Sequence, residues 1–272
     1  MKEMKGTGFR LSNCRRSGIE AVEANTTLVF GRHTHEQFGV GLIERGAQKS
    51  ASGRGLVEAG AGDVITVNPG EVHDGAPIGD GGRSWRMLYL DPPIVAELAI
   101  DITEGRGGMA CEFTQPKVSD KRIAGQFDQL FRAMTSSIVD PHGLKADETL
   151  LLVLGSLLQP GSPRQRSVPI GIASARALID DDPLAILTLT ALADEAGLSR
   201  YQFLRSFARA TGLTPHAYIL QRRIHRARQL IRCGTRLADA AAQSGFSDQS
   251  HMTRLFVRSF GVTPGAYAKV VG

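Results

Sequence analysis

Two groups of side chains have the types and spacing to do chemistry. His33 and His35 are two residues apart, so on a strand both imidazoles fall on one face. His73 closes the turn-rich stretch Asn68-Pro69-Gly70-Glu71-Val72-His73. Three imidazoles that converge can ligate Zn(II), Fe(II) or Ni(II), hydrogen-bond a small ligand, or satisfy one another inside a core. The second group is richer in arginine. Arg200, Tyr201, Leu204 and Arg205 form one cluster, and Gln249, Ser250, Thr253 and Arg254 form another. On an exposed helix face such side chains suit the DNA major groove, where Arg reads guanine bidentately and Gln reads adenine. The chain contains no phosphate loop, no Gly-x-Ser-x-Gly and no dinucleotide fingerprint, so no enzyme is expected.

The imidazoles lie in a half built of short strands. β-type stretches run over Thr27–Phe30, Gly39–Ile43, Asp63–Val67 and Trp85–Leu90, with glycine-rich turns between them. That rhythm predicts a sandwich or small barrel. Trp85, Met87 and Tyr89 alternate onto one strand face, where they line a cavity or fill a core. Arg32 and Arg86 are available to a carboxylate ligand or to solvent. From about Ser119 the periodicity becomes helical. Ile123, Phe127, Leu130, Phe131 and Met134 form one stripe, and a second helix is predicted from Lys145 to Leu158. The apolar excess of that second helix fits packing within the domain or a dimer face. Residues 159–169, Gln-Pro-Gly-Ser-Pro-Arg-Gln-Arg-Ser-Val-Pro, break every period and read as a linker. The expected division is 1–160, a linker at 161–169, and 170–272.

The second half repeats itself. Gly-x-Thr-Pro-x-Ala-Tyr occurs at Gly212 and again at Gly261, 49 residues later, and Gly-x-Ser occurs at Gly197 and Gly245, 48 residues apart. The later copy therefore holds one inserted residue. In the first copy a short helix from Leu189 to Ala196 is ended by Gly197, Leu198 plugs the turn, and Ser199 caps the next helix. Two helices joined this way form a helix-turn-helix. Phe203 and Phe207 face the core, which leaves Arg200, Tyr201, Leu204 and Arg205 outside. In the second copy Phe246 plugs, Ser247 is the expected cap, and Met252 and Phe256 point inward. Thr214-Pro215 and Thr263-Pro264 each open a further helix. The helix from Pro215 to about Cys233 carries Arg222, Arg223, Arg226, Arg228 and Arg232, expected to reach phosphates.

Composition agrees with a two-domain soluble protein. The chain has 272 residues, 42% hydrophobic and 22% charged. Its net charge of +5 is uneven, because residues 170–272 hold 13 basic against 7 acidic side chains. A basic module on an acidic body points to a nucleic-acid reader. No stretch reaches the roughly 20 apolar residues of a membrane span. No secretory leader is read at the start, and the three distant cysteines read as reduced thiols, so a cytoplasmic protein is expected.

The segment from about Leu189 to Tyr267 resembles the DNA-binding domain of the AraC/XylS family of bacterial transcription regulators. Gly245-Phe-Ser-Asp-Gln-Ser-His-Met-Thr-Arg-Leu-Phe256, followed by Phe260-Gly-Val-Thr-Pro-Gly-Ala-Tyr267, carries most of that likeness. The resemblance implies seven helices and two recognition helices in successive major grooves. It also implies base readers at Tyr201, Leu204, Arg205, Gln249, Ser250 and Arg254. Leu204, usually polar in relatives, is limited to thymine methyls. Residues 20–90, with Gly62-Asp63, Pro69-Gly70 and Gly70-x-x-His73, resemble the cupin barrel that serves such regulators as effector domain. Metal cupins usually add a Glu four residues after the second His, where this chain has Gly39. The histidines are therefore read as effector-pocket groups together with Trp85 and Tyr89, and no metal or other cofactor is expected. The weaker alternative is a metal site at His33, His35 and His73. The resulting expectation is a two-domain α+β regulator: a cupin-like β-barrel with trailing helices, then an all-α domain with two helix-turn-helix motifs. Its partners would be promoter DNA, a small-molecule effector, a second copy of the chain and, for an activator, RNA polymerase. The alternative function is a metal-dependent cupin enzyme with an appended helical domain.

Overall fold

A computed structural model describes residues 8–103, 111–136, 144–160 and 168–271. The chain divides into a β-rich unit, Met1–Gly31 with His35–Gly161, and a helical unit, Ser162–Gly272, with which the short segment Arg32–Thr34 is grouped. Most of the expected linker, residues 161–167, lies outside the described residues.

The first unit opens with β1 (Gly8–Asn13), β2 (Ile19–Thr26), β3 (Phe30–His33), β4 (Phe38–Arg45), β5 (Ala47–Ser52) and β6 (Gly55–Gly60). β7 (Val64–Val67), β8 (His73–Pro77) and β9 (Arg83–Leu90) follow, then α1 (Pro92–Ile102). β10 (Cys111–Phe113), β11 (Lys117–Val118), α2 (Lys121–Thr135), α3 (Leu144–Leu157) and β12 (Leu158–Pro160) complete it. A six-stranded sheet runs β1-β2-β9-β4-β7-β11, a four-stranded one runs β3-β8-β5-β6, and β10 pairs with β12.

Alternation along the long strands decides what each face meets. Ile19, Ala21, Phe38, Val40, Leu42, Leu88 and Leu90 form one core with Phe127, Leu130 and Phe131 of α2 and with Leu150, Val153 and Leu154 of α3. The opposite face carries Val22, Ala24, Ile43, Trp85 and Met87, which pack with Ala59 and Phe30 of the four-stranded sheet. The result is an apolar interior between the two larger sheets on one side and a helical cover on the other. α2 starts sharply because the Asp120 carboxylate accepts from the Arg122 and Ile123 amides at 2.7 and 3.3 Å.

One expected strand shifts. Thr27, Leu28 and Val29 are exposed and unpaired, and β3 begins only at Phe30. The Thr26 hydroxyl accepts the Leu28 amide at 3.0 Å, a local turn that competes with ladder pairing. β3 consequently ends at His33, and His35 lies just beyond it rather than on the same strand.

The helical unit comprises α4 (Ile170–Asp181), α5 (Leu189–Glu195), α6 (Arg200–Thr211), α7 (Pro215–Arg232), α8 (Leu237–Gln243), α9 (Gln249–Phe260) and α10 (Pro264–Val271). These are seven helices among the described residues. Ile172, Ala175, Ile179, Leu192, Ala193, Phe203 and Phe207 make the core of its first half. Thr214 accepts from the Ala217 amide at the start of α7, and Thr263 from the Ala266 amide at the start of α10. In α7, the His225 imidazole is buried. That burial, with the charges of Arg228 and Arg222, pushes its pKa down to about 3.

Candidate functional site

Both helix-turn-helix motifs form, and their positions correspond residue for residue. Gly197 and Gly245 take φ of 65° and 74°, the left-handed geometry that ends α5 and α8 without a Cβ penalty. The turn after Gly197 is two residues long. Ser199 then caps α6, accepting the Gln202 amide at 3.4 Å while Gln202 accepts the Ser199 amide at 3.2 Å. The second turn is one residue longer. Asp248, not Ser247, is the cap, accepting the His251 amide at 2.7 Å. That bond holds the Asp248 carboxyl below the usual carboxylate range. The expectation for Ser247 is thus corrected by one residue, because the insertion is absorbed before α9 begins.

Counted from the caps, Arg200 matches Gln249, Tyr201 matches Ser250, Leu204 matches Thr253 and Arg205 matches Arg254. Phe203 and Met252, four residues past each cap, are buried, as are Phe207 and Phe256, eight past. The outer face follows by difference. Arg200, Tyr201, Arg205, Gln249, Ser250 and Arg254 are exposed, while Leu204 and Thr253 are half-buried. The Arg205 guanidinium stands 5.7 Å over the Tyr201 ring, a contact between residues one turn apart that no symmetry with α9 requires.

The arginines of α7 are largely engaged within the unit. Arg222 lies 3.1 Å from Asp180. Arg223 donates to the carbonyls of Pro183 and Gly245 at 2.8 and 3.0 Å, and Arg226 donates to the Gln243 carbonyl at 2.9 Å. Arg228 lies over the Phe260 and Tyr267 rings. Four of the five side chains thus tie α7 to its neighbours, and Arg223 and Arg226 satisfy carbonyls at and just after the end of α8.

In the barrel, Trp85, Met87 and Tyr89 share the inner face, as their alternation requires. Phe9 and Phe30 meet Trp85 edge-on, with ring centroids 5.9 and 6.3 Å away. Tyr89 packs on His35 at 4.8 Å, and His35 stacks on His73 at 5.2 Å. His33, the last residue of β3, is buried, as is His35. Burial holds the His73 imidazole below its usual pKa, and its Nδ1 faces the Glu71 carbonyl at 3.1 Å. Gly39, where a metal cupin has its Glu, leaves room for these rings. A Cβ there would come 2.9 Å from Met87 Cε and 3.3 Å from Tyr89.

Arg86 does not reach this interior. It points to the opposite face of β9, where its guanidinium meets Glu44 at 2.7 Å and Asp128 at 2.6 Å. It is buried rather than solvated, and unavailable to an effector. Arg83 is the interior arginine. Only 1% exposed, it donates to Gln48 Oε1 at 3.0 Å and to the carbonyls of Leu28 and Gly75 at 3.1 and 3.3 Å, and it lies 4.8 Å from the Trp85 ring. Burial pushes its pKa down to about 10. The same alternation that selects Trp85, Met87 and Tyr89 puts Arg83 with them, a signal that an arginine beside Gly-Gly conceals.

Residues 16–154 match the AraC-like ligand binding domain, and residues 192–269 match a helix-turn-helix domain. An HTH-type transcriptional regulator of Bacillus subtilis, YbfI, is 30% identical over 82% of this chain and 81% of its own length. This chain belongs to the AraC family of transcriptional regulators. The MmsAB operon regulatory protein of Pseudomonas aeruginosa is 26% identical over 78% of this chain and 67% of its own. ToxT from Vibrio cholerae O395 shares the fold over 97% of this chain and 98% of its own, with a TM-score of 0.53 and 13% identity. Both sequence relatives of this AraC-family regulator are named as regulators, not as enzymes. No described helix is long and apolar enough to cross a membrane.

Proposed function

We propose that this regulator reads DNA with the outer faces of α6 and α9, and that a small molecule held inside the barrel alters its DNA affinity. The matched register of the two helices carries the first part. The caps, the buried apolar pairs Phe203/Phe207 and Met252/Phe256, and the exposed Arg205 and Arg254 repeat at a spacing of 49, despite a turn that differs in length. Arg205 and Arg254 are the base readers for guanine. Gln249 is the reader for adenine. Arg200, Tyr201, Leu204, Ser250 and Thr253 complete the two surfaces. In the barrel His33, His35, His73, Trp85 and Tyr89 contact the effector. By linkage, an effector that binds the DNA-competent state more tightly raises DNA affinity by the same factor that DNA raises effector affinity.

Two copies acting together would strengthen binding through effective concentration, and an activator would also engage RNA polymerase. Selection of genomic fragments by the purified full chain, followed by footprinting, tests the reading. It predicts two protected patches about one helical turn apart per protomer. Absence of any enriched fragment, with or without candidate metabolites, would overturn it.

A further inference from the structure

We propose that Arg209 and Arg258, in the last turns of α6 and α9, each bind one DNA phosphate and so set how the two helices seat in the groove. These contacts rest on the DNA-reading proposal and add backbone anchors to its base readers.

Internal duplication singles the pair out. Aligned from their caps, the 12-residue helices α6 and α9 agree at only three positions: Arg205 with Arg254, Phe207 with Phe256, and Arg209 with Arg258. The two phenylalanines are buried, and all four arginines are exposed. The rest of the outer face has diverged, with Tyr201 against Ser250 and Leu204 against Thr253. Contacts to base edges vary with the sequence read, whereas a phosphate is the same at every step of the duplex.

Placement separates Arg209 from Arg205. At about 100° and 1.5 Å per residue, Arg209 stands about 40° around the axis from Arg205 and about 6 Å nearer the helix C-terminus. Phe203 and Phe207 lie about 160° from Arg205 on either side, so both arginines face away from the core. Arg254, Arg258, Met252 and Phe256 repeat the arrangement on α9. A recognition helix presents its N-terminal residues to base edges. Its last turn then lies toward the groove wall, which the phosphates line.

Both guanidinium groups are uncommitted. Arg209 and Arg258 make no hydrogen bond, ion pair or ring contact among the described residues, whereas Arg222, Arg223, Arg226 and Arg228 of α7 all have partners. The helix ends do not need them as caps. Gly212 and Gly261 take φ of 79° and 76°, and their amides donate to the carbonyls of Ala208 and Val257 at 2.9 and 2.8 Å. Each helix therefore carries a full positive charge on its outer face with no internal counterion, and a guanidinium fork suits phosphate oxygens.

Anisotropy of the full chain on a selected genomic fragment and on a random duplex of equal length, across a salt series, tests the assignment. One phosphate contact contributes about 0.9 to the slope of log K against log salt. Arg209→Gln and Arg258→Gln should each flatten the slope by about 0.9, and together by about 1.8. Each should weaken both DNAs alike, by about 8-fold at roughly 0.1 M salt, the factor such a slope gives over the decade up to 1 M. Arg209→Lys and Arg258→Lys, which keep the charge, should keep most of the slope. Methylphosphonate scanning of the selected fragment with the wild-type chain should find two sensitive phosphates about one helical turn apart, one silenced by each Gln variant. An unchanged slope overturns the assignment, and so does a loss confined to the selected fragment, which marks base readers. A fall in urea midpoint that accounts for the weaker binding marks helix-end stabilisers and overturns it too. If the wild type prefers its selected fragment while the Gln variants bind as it does, the phosphate anchors fail and the DNA-reading proposal stands. If the wild type selects no fragment, both fail.

Discussion

Arg254→Ala isolates base reading from folding. Arg254 is exposed on α9, six residues past the Asp248 cap, and its guanidinium makes no ion pair or hydrogen bond among the described residues. Its removal therefore strands no buried partner, and the effect on stability should fall within about 0.5 kcal/mol. A bidentate contact to guanine is worth about 1–3 kcal/mol of discrimination, roughly 5- to 150-fold in Kd. Fluorescence anisotropy on the selected operator fragment would read that loss. Random-sequence DNA of equal length and a salt series would run alongside. The expected result is a weakened specific complex, relaxed preference at one base pair, and a nearly unchanged non-specific Kd. A phosphate contact would instead weaken both DNAs alike and reduce the salt slope by about one. That outcome, or a drop in Tm that accounts for the loss, would refute the assignment of Arg254 to a base. Arg205→Ala is the matched experiment on α6.

The caps give a second contrast: Asp248→Ala should lower the urea midpoint clearly more than Ser247→Ala, and the reverse order would restore Ser247 as the cap. Phe207→Ala and Phe256→Ala, both fully buried, should each cost about 3–5 kcal/mol and abolish DNA binding, read by denaturation and anisotropy together. Arg54→Ala leaves Glu71 and two carbonyls without their guanidinium and should cost about 2 kcal/mol or more in denaturation midpoints. Stability should also fall in acid through His225. Its folded pKa of about 3 lies below the unfolded value near 6.5, so the unfolded chain binds the extra proton. Its contribution is complete above pH 6.5 and declines by about 1.4 kcal/mol per pH unit below it, which His225→Gln should flatten in urea midpoints taken from pH 7 to pH 5.

The helical half was legible in the sequence because its signals are local. A glycine that ends a helix, a hydroxyl or carboxyl that caps the next, and apolar residues four apart act within one or two turns of chain. The repeat doubled each of them. Even the error at Ser247 is a local one, since Asp248 beside it competes for the same amides and the inserted residue decided between them. α2 and α3 were readable for the same reason, to within one residue for α3, observed at Leu144–Leu157.

The barrel interior was only partly readable. Alternation grouped Trp85, Met87 and Tyr89; Arg83 shares their parity on β9 but was not singled out from the sequence. What alternation cannot supply is which of the two faces turns inward. The sequence by itself determined the helix-turn-helix pair, the identity of its outward residues and the strand-rich character of the first half. Only the tertiary structure decided that Arg86 serves Glu44 and Asp128 under the helices while Arg83 is enclosed with the aromatics. It also decided that four α7 arginines brace their own unit, and that His35 and His73 stack. Each of those outcomes depends on pairing between residues far apart in the chain, and no short-range propensity encodes which distant strand will supply the neighbour.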